Sequence, residues 1–88
     1  PPRATPNPFR PGGGATGITF RDLPAGATVR LYTLAGEPVT VLTDTDNDGV
    51  IVWDVKNPQG RDLASGVYLY VVAPRSGPVT RGRVVIIR

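Results

Sequence analysis

The 88-residue chain contains no cysteine, no histidine and no methionine. Without cysteine it has neither a disulfide framework nor a thiolate metal site. Without histidine it lacks the usual general base and the commonest metal ligand in proteins. Its serines have no imidazole to activate them, which excludes a serine hydrolase. We therefore expect a protein without enzymatic activity.

Long apolar runs and charged residues are also scarce. No stretch reaches the roughly 18 apolar residues of a transmembrane helix, and no signal peptide opens the sequence. We expect no transmembrane segment, and a mature or internal fragment of a longer parent polypeptide. Hydrophobic residues make up 40% of the chain and charged residues 19%. This balance favours one folded domain that buries roughly 60–65% of its unfolded surface.

The net charge of +3 raises the question of an anionic partner. The arginines are scattered singly over the sequence and are not interleaved with aromatic residues. This spacing is typical of solvated faces and protected strand edges, so we expect no nucleic-acid partner. One basic group remains a candidate for recognition of a partner. It consists of Arg81, Arg83 and Arg88 near the end of the chain.

Short alternating runs between glycines and prolines predict an all-β protein. Residues 1–14 hold five prolines and three successive glycines, which predicts a linker or arm leading into a single domain of residues 15–88. Strands are predicted over residues 17–21, 29–34, 39–42, 50–55, 61–63, 67–73 and 79–88. About seven short antiparallel strands at this spacing are typical of a β-sandwich with Greek-key connections.

The chain is organised around the stretch from Trp53 to Tyr70. Trp53 closes an apolar strand, a turn-rich segment follows, and Gly66 precedes a run of alternating aromatic and β-branched residues. This order predicts a crossing between two sheets with Trp53 in the core. Tyr68 lies where a tyrosine corner donates a hydrogen bond back to the backbone. Residues 50–55 are apolar on both faces, which predicts a central strand.

The most specific local pattern is Asp44-Thr-Asp46-Asn-Asp48-Gly49, which matches the first half of a calcium-binding loop. Alternate carboxylates are able to converge on one ion, and the glycine permits a sharp turn. The second half of the motif is missing, because Val55 stands where a bidentate glutamate belongs. Two interpretations stay open: a calcium site, or an acidic hairpin turn in which these residues cap their own backbone.

The sequence resembles the Ig-like domain of flagellar hook-capping proteins and the C-terminal sorting domains of type IX secretion substrates. The resemblance covers nearly the whole chain in order. It is carried by NPFRP at 7–11, ITFRDLP at 18–24, VRLYTLAGEPV at 29–39, WD at 53–54, GRDLASGVY at 60–68 and RVVIIR at 83–88. One departure is Val55, because the family often has glycine directly after the WD pair.

The resemblance implies a single Ig-like sandwich at the C-terminus of a large exported protein that is secreted or held at the cell surface. The outer-membrane secretion machinery would recognise the domain, which is then removed or used for attachment. Gly36, Gly66 and Tyr68 carry over as family positions. The resemblance also implies a recognition strand, which consists of Arg83, Val84, Val85, Ile86, Ile87 and Arg88.

Two other functions stay open. A structural subunit of an extracellular filament or hook-type assembly would self-associate by strand pairing. The N-terminal arm and the last strand would each need to be covered by another chain. A calcium-stabilised carbohydrate-binding domain would combine the Asp44–Asp48 loop with a stacking face formed by Tyr32, Tyr68 and Tyr70.

Overall fold

The computed structural model describes residues 1–88, which form seven strands and no helix. The strands are β1 (Arg3–Thr5), β2 (Ile18–Arg21), β3 (Thr28–Thr33), β4 (Pro38–Thr43), β5 (Ile51–Trp53), β6 (Gly66–Ala73) and β7 (Thr80–Ile86). Every strand pair is antiparallel. The predicted all-β class is confirmed, and the chain contains no helix of a length and apolarity that would span a membrane.

Two sheets pack face to face, one with the strand order β1-β2-β5 and the other with the order β4-β3-β6-β7. Two connections, β3–β4 and β6–β7, are hairpins within one sheet. The chain changes sheets between β2 and β3, between β4 and β5, and again between β5 and β6. This alternation gives the Greek-key connectivity of an Ig-like sandwich.

The core lies between the sheets because the longer strands follow the predicted period of two. In β3, Val29 and Leu31 are fully buried and Arg30 between them is exposed. Successive side chains of a strand point to opposite faces, so one face of each sheet is apolar. Sixteen buried hydrophobic residues form a single cluster: Ala4, Phe9, Ile18, Phe20, Leu23, Ala27, Val29, Leu31, Trp53, Val55, Leu63, Tyr68, Tyr70, Val72, Val84 and Ile86.

The N-terminal segment differs from the predicted linker. Residues 3–5 form β1, which pairs with β2 in the register Arg3↔Arg21 and Thr5↔Thr19. Ala4 and Phe9 are buried in the core. Residues 1–14 therefore contribute a strand and core side chains to the sandwich, and the predicted domain boundary at residue 15 does not correspond to a structural boundary.

Two further predicted strands are wrong in part. Residues 61–63 form no strand, and only an isolated bridge joins Lys56 to Asp62. The total of seven strands holds because β1 takes the place of this piece. The run 50–55 contains only the short β5, which lies at a sheet edge and leaves Val52 72% exposed. This strand is therefore not central.

Candidate functional site

The crossing from β5 to β6 has the predicted corner geometry. The Tyr68 hydroxyl donates a hydrogen bond of 2.8 Å to the carbonyl of Ala64. The indole N–H of Trp53, which is 2% exposed, donates to the carbonyl of Lys56 at 3.1 Å. Gly66 begins β6. Because both side chains bond to backbone carbonyls of the crossing itself, Trp53 and Tyr68 brace this connection between the sheets.

Two turn positions that the sequence resemblance singled out, Gly36 and Val55, have a positive φ. Gly36 has a φ of 91° in the turn between β3 and β4, where its N–H bonds to the carbonyl of Thr33 at 2.9 Å. Val55 has a φ of 61° and is fully buried. A β-branched residue is strained in this left-handed region, which glycine adopts without cost. Val55 therefore keeps the backbone conformation that a glycine would favour at this position.

The C-terminal strand lies at the edge of the four-stranded sheet, and its residues alternate between two faces. Val84 and Ile86 are buried in the core, at 0% and 1% exposure. Arg83 is exposed, Val85 is half-buried and Ile87 is 39% exposed. The hydrophobic centre of the predicted recognition strand is thus only partly accessible, since two of its members pack inside the domain.

The free edge of β7 is covered by residues 7–9 of the same chain. The Asn7 side chain donates to the carbonyl of Arg83 at 2.7 Å and accepts from the N–H of Val85 at 3.0 Å. Phe9 continues this pairing through its backbone, donating to Val85 at 2.7 Å and accepting from Ile87 at 2.9 Å. Unpaired strand edges are templates for association. The N-terminal segment and the last strand, which the sequence predicted to need cover from another chain, therefore cover each other.

The Asp44–Asp48 loop connects β4 to β5, and one carboxylate oxygen from each of its three aspartates lies within 4.8 Å of the other two. Asp44 is 4% exposed, whereas Asp46 and Asp48 are exposed. The alternating spacing thus brings together the three residues that the sequence singled out. Asp54 is not one of the three carboxylates that converge here, and its Oδ1 accepts the N–H of Lys56 at 3.2 Å.

The aromatic face expected of a carbohydrate-binding domain is absent. Tyr68 and Tyr70 lie on the inward face of β6 and are each 9% exposed, while Tyr32 on β3 is half-buried. The Tyr70 ring packs edge-on against Phe20 with the ring centres 5.3 Å apart. Burial raises the pKa of the Tyr70 hydroxyl. Tyr68 and Tyr70 belong to the core and Tyr32 does not, so the three tyrosines do not form one stacking surface.

A pocket of about 280 Å³ lies between the N-terminal segment and the residues Lys56, Asp62 and Arg88. Lys56 Nζ is 2.8 Å from Asp62 Oδ1, and Arg88 Nη1 is 3.9 Å from Asp62 Oδ2. The hydrogen bond from Lys56, then the charges of Lys56 and Arg88, lower the pKa of Asp62. Arg88 also donates to the carbonyl of Leu63. Because both cations are engaged with Asp62, the pocket offers no unpaired cation to an anion.

Comparison with known proteins gives structural matches only. No protein-family model matches the chain, and no curated protein sequence matches it. Among solved structures, PorZ of Porphyromonas gingivalis, described as an essential bacterial surface component of the type IX secretion system, matches 99% of this chain with a TM-score of 0.84 and 27% identity. Latent dimeric PorU of the same organism matches 99% with a TM-score of 0.70 and 23% identity.

In PorZ and PorU, the part that matches this chain is a small domain of a much larger protein. It covers 11% of the PorZ chain and 9% of the PorU chain. CopC of Methylosinus trichosporium OB3b matches 96% of this chain, with 86% of CopC covered, a TM-score of 0.52 and 14% identity. The likenesses to PorU and CopC concern the fold alone. The chain is a β-sandwich that is structurally similar to one small domain of PorZ.

Proposed function

We propose that this domain is a non-catalytic module of a larger exported protein and acts in type IX export and cell-surface attachment. The observation that carries the proposal is the match of 99% of the chain to about a tenth of PorZ, a surface component of that secretion system, at a TM-score of 0.84. The ordered sequence resemblance to type IX sorting domains points to the same route.

The outward half of the C-terminal strand is the surface that we assign to recognition. Arg83, Val85 and Ile87 face away from the core and offer one charge beside apolar surface. Asn7 and Phe9 occupy the adjacent backbone edge. The secretion machinery would therefore bind the side chains of a folded domain, because strand addition at β7 requires displacement of the N-terminal segment.

The chemistry of the chain supports a binding role over catalysis. Asp62 is the carboxylate that lies closest to a cation in the pocket, and it is held at 2.8 Å by Lys56. The hydrogen bond from Lys56 lowers its pKa, so Asp62 is a weak proton acceptor at neutral pH. The serines have no histidine beside them, because the chain contains none. Any enzymatic activity would then belong to the rest of the parent polypeptide.

This assignment can be tested in a bacterium that has a type IX secretion system. A passenger protein is fused to residues 1–88 and given a signal peptide for transport across the inner membrane. We expect Arg83→Glu to reduce passenger export at least about tenfold, since charge reversal at a rim residue disfavours encounter with a complementary partner. Arg21→Glu is the matched control, because Arg21 is an exposed arginine on β2 of the other sheet. Equal export of both variants would refute the assignment of the recognition surface to β7.

A further inference from the structure

Negative charge is concentrated in the loop between β4 and β5. Asp44, Asp46 and Asp48 place carboxylate oxygens within 4.8 Å of one another. No lysine or arginine forms an ion pair with any of them, since the ion pairs of the domain involve Asp22 and Asp62. Like charges at this separation repel, and burial of one member reduces the screening by water. The cluster therefore lacks a compensating cation from the protein.

Asp44 supplies an independent observation. Its side chain is 4% exposed, and its Oδ1 is buried without any hydrogen-bond partner. The other oxygen, Oδ2, accepts the N–H of Gly49 at 3.0 Å. Buried polar atoms are nearly always paired, and an orphan carboxylate oxygen calls for a specific explanation. Since this carboxylate is a member of the acidic cluster, a cation bound there would supply the missing partner.

The remaining oxygens of the cluster are also available. Asp46 Oδ1 accepts the N–H of Asp48 at 3.3 Å, and Asp48 Oδ1 accepts the N–H of Val50 at 3.0 Å. Each carboxylate thus uses one oxygen to cap the backbone and keeps the other without a protein partner. The two interpretations of the sequence pattern are therefore compatible, because turn capping leaves one ligand oxygen on each aspartate.

The loop is held in place by the neighbouring segment of residues 23–27. The N–H of Asp44 donates to the carbonyl of Ala27 at 3.1 Å, and Asn47 Oδ1 accepts the N–H of Gly26 at 3.0 Å. Leu23 donates to the carbonyl of Gly49 at 3.0 Å. A ligand that binds here does not need to order the backbone, so little conformational entropy is lost on binding.

We propose that Asp44, Asp46 and Asp48 form a binding site for one calcium ion. The donor set consists of oxygen alone, and this excludes the nitrogen and sulfur ligation that zinc prefers. Calcium accepts six to eight oxygens in flexible geometry, whereas magnesium demands a near-ideal octahedron. Water and backbone carbonyls would complete the coordination. This site goes beyond the proposed role in export, since it lies in the β4–β5 loop that joins the two sheets.

Isothermal titration of the chelator-treated domain with calcium chloride tests the proposal. We expect one ion per chain with a dissociation constant of about 10⁻⁴–10⁻³ M, the range of extracellular calcium modules. Asp46→Asn and Asp48→Asn should each weaken binding at least about tenfold, because each removes a ligand charge from an exposed side chain that tolerates substitution. Asp22→Asn is the control, since Asp22 is exposed, lies outside the cluster and pairs with Arg3.

Thermal unfolding gives a second test, because the difference in Tm between Asp46→Asn and wild type should have opposite signs in calcium and in chelator. In saturating calcium, we expect the wild-type Tm to rise by about 5 °C or more, and Asp46→Asn to melt below wild type. In chelator, Asp46→Asn should melt above wild type, because one of three repelling charges is removed. Absence of heat and of a Tm shift up to about 10 mM calcium would overturn the site. Equal binding of calcium by all three variants, or equal affinity for magnesium, would also overturn it.

Discussion

Replacement of Phe9 by alanine tests whether the N-terminal segment belongs to the domain. Phe9 is 3% exposed in the core, and truncation of such a phenylalanine costs about 3–5 kcal/mol in unfolding free energy. A domain of this size is stable by about 4–13 kcal/mol. We therefore expect Phe9→Ala to remove a large share of the stability, although the substitution retains the backbone hydrogen bonds to Val85 and Ile87.

Urea denaturation followed by Trp53 fluorescence measures this loss, because Trp53 is the only tryptophan and is buried. With an m-value of about 1 kcal/mol/M, the unfolding midpoint should fall by about 3 M or more. Leu34→Ala is the matched control, since Leu34 is 66% exposed and its loss should cost under about 0.5 kcal/mol. A Phe9→Ala variant as stable as Leu34→Ala would show that residues 1–14 act as a linker.

Substitutions at three further positions test local features. Val55→Ala loses about 1.5–3 kcal/mol of buried contacts and keeps the strained φ, so Val55→Gly should be more stable than Val55→Ala by about 1 kcal/mol; the reverse order in urea unfolding would argue against strain. Tyr68→Phe removes the hydrogen bond to Ala64 and should cost about 1 kcal/mol, whereas an unchanged midpoint would contradict the tyrosine corner. Burial raises the pKa of Tyr70 above 10.0, so its contribution to stability is complete below about pH 10 and declines as the pH rises through the folded-state pKa. Tyr70→Phe should therefore lose less stability above pH 10 than wild type when Tm is measured against pH. Parallel Tm curves for the two proteins would show that ionisation of Tyr70 is not the cause of the decline.

The sheets were predictable where strands are long enough to show a period. In β3 and β6 the alternation of apolar side chains marks the buried face directly, and the turn residues between Trp53 and Tyr68 mark the crossing between sheets. These signals are local. Each depends on residues within a few positions of one another, so tertiary context does not override them.

The N-terminal segment could not be predicted because its structure depends on distant residues. β1 has three residues, too few for a period, and it is flanked by prolines that are typical of linkers. Asn7 bonds to Arg83, 76 positions away. A phenylalanine within a polar, proline-rich stretch indicates a side chain that caps the core, and Phe9 is buried there. The sequence did not show that its backbone covers the edge of β7.

The position of β5 also depends on tertiary context. The run of residues 50–55 is apolar on both faces, yet β5 has only one neighbouring strand and Val52 is exposed. Composition alone does not distinguish a central strand from an edge strand with an outward valine. The final strand was also only partly predictable. Its core residues and the residues of its predicted recognition surface alternate along one sequence run, so the run alone does not show which of them are accessible.

The acidic loop was predictable in part. Alternate spacing brings Asp44, Asp46 and Asp48 together because the chain turns within that segment. The burial of Asp44 was not predictable, since it follows from contacts with Ala27 and with the segment that carries Leu23. That burial, with the unpaired Oδ1, distinguishes this loop from an ordinary exposed acidic turn.

The most direct test of the proposed function is the location of a passenger fused to residues 1–88 in two strains. One strain has an intact type IX system and the other lacks its outer-membrane channel. We expect surface or extracellular passenger, measured by protease accessibility of intact cells, only in the first strain and only with the domain attached. Passenger that stays inside the competent strain, or that leaves both strains equally, would contradict a role in type IX export.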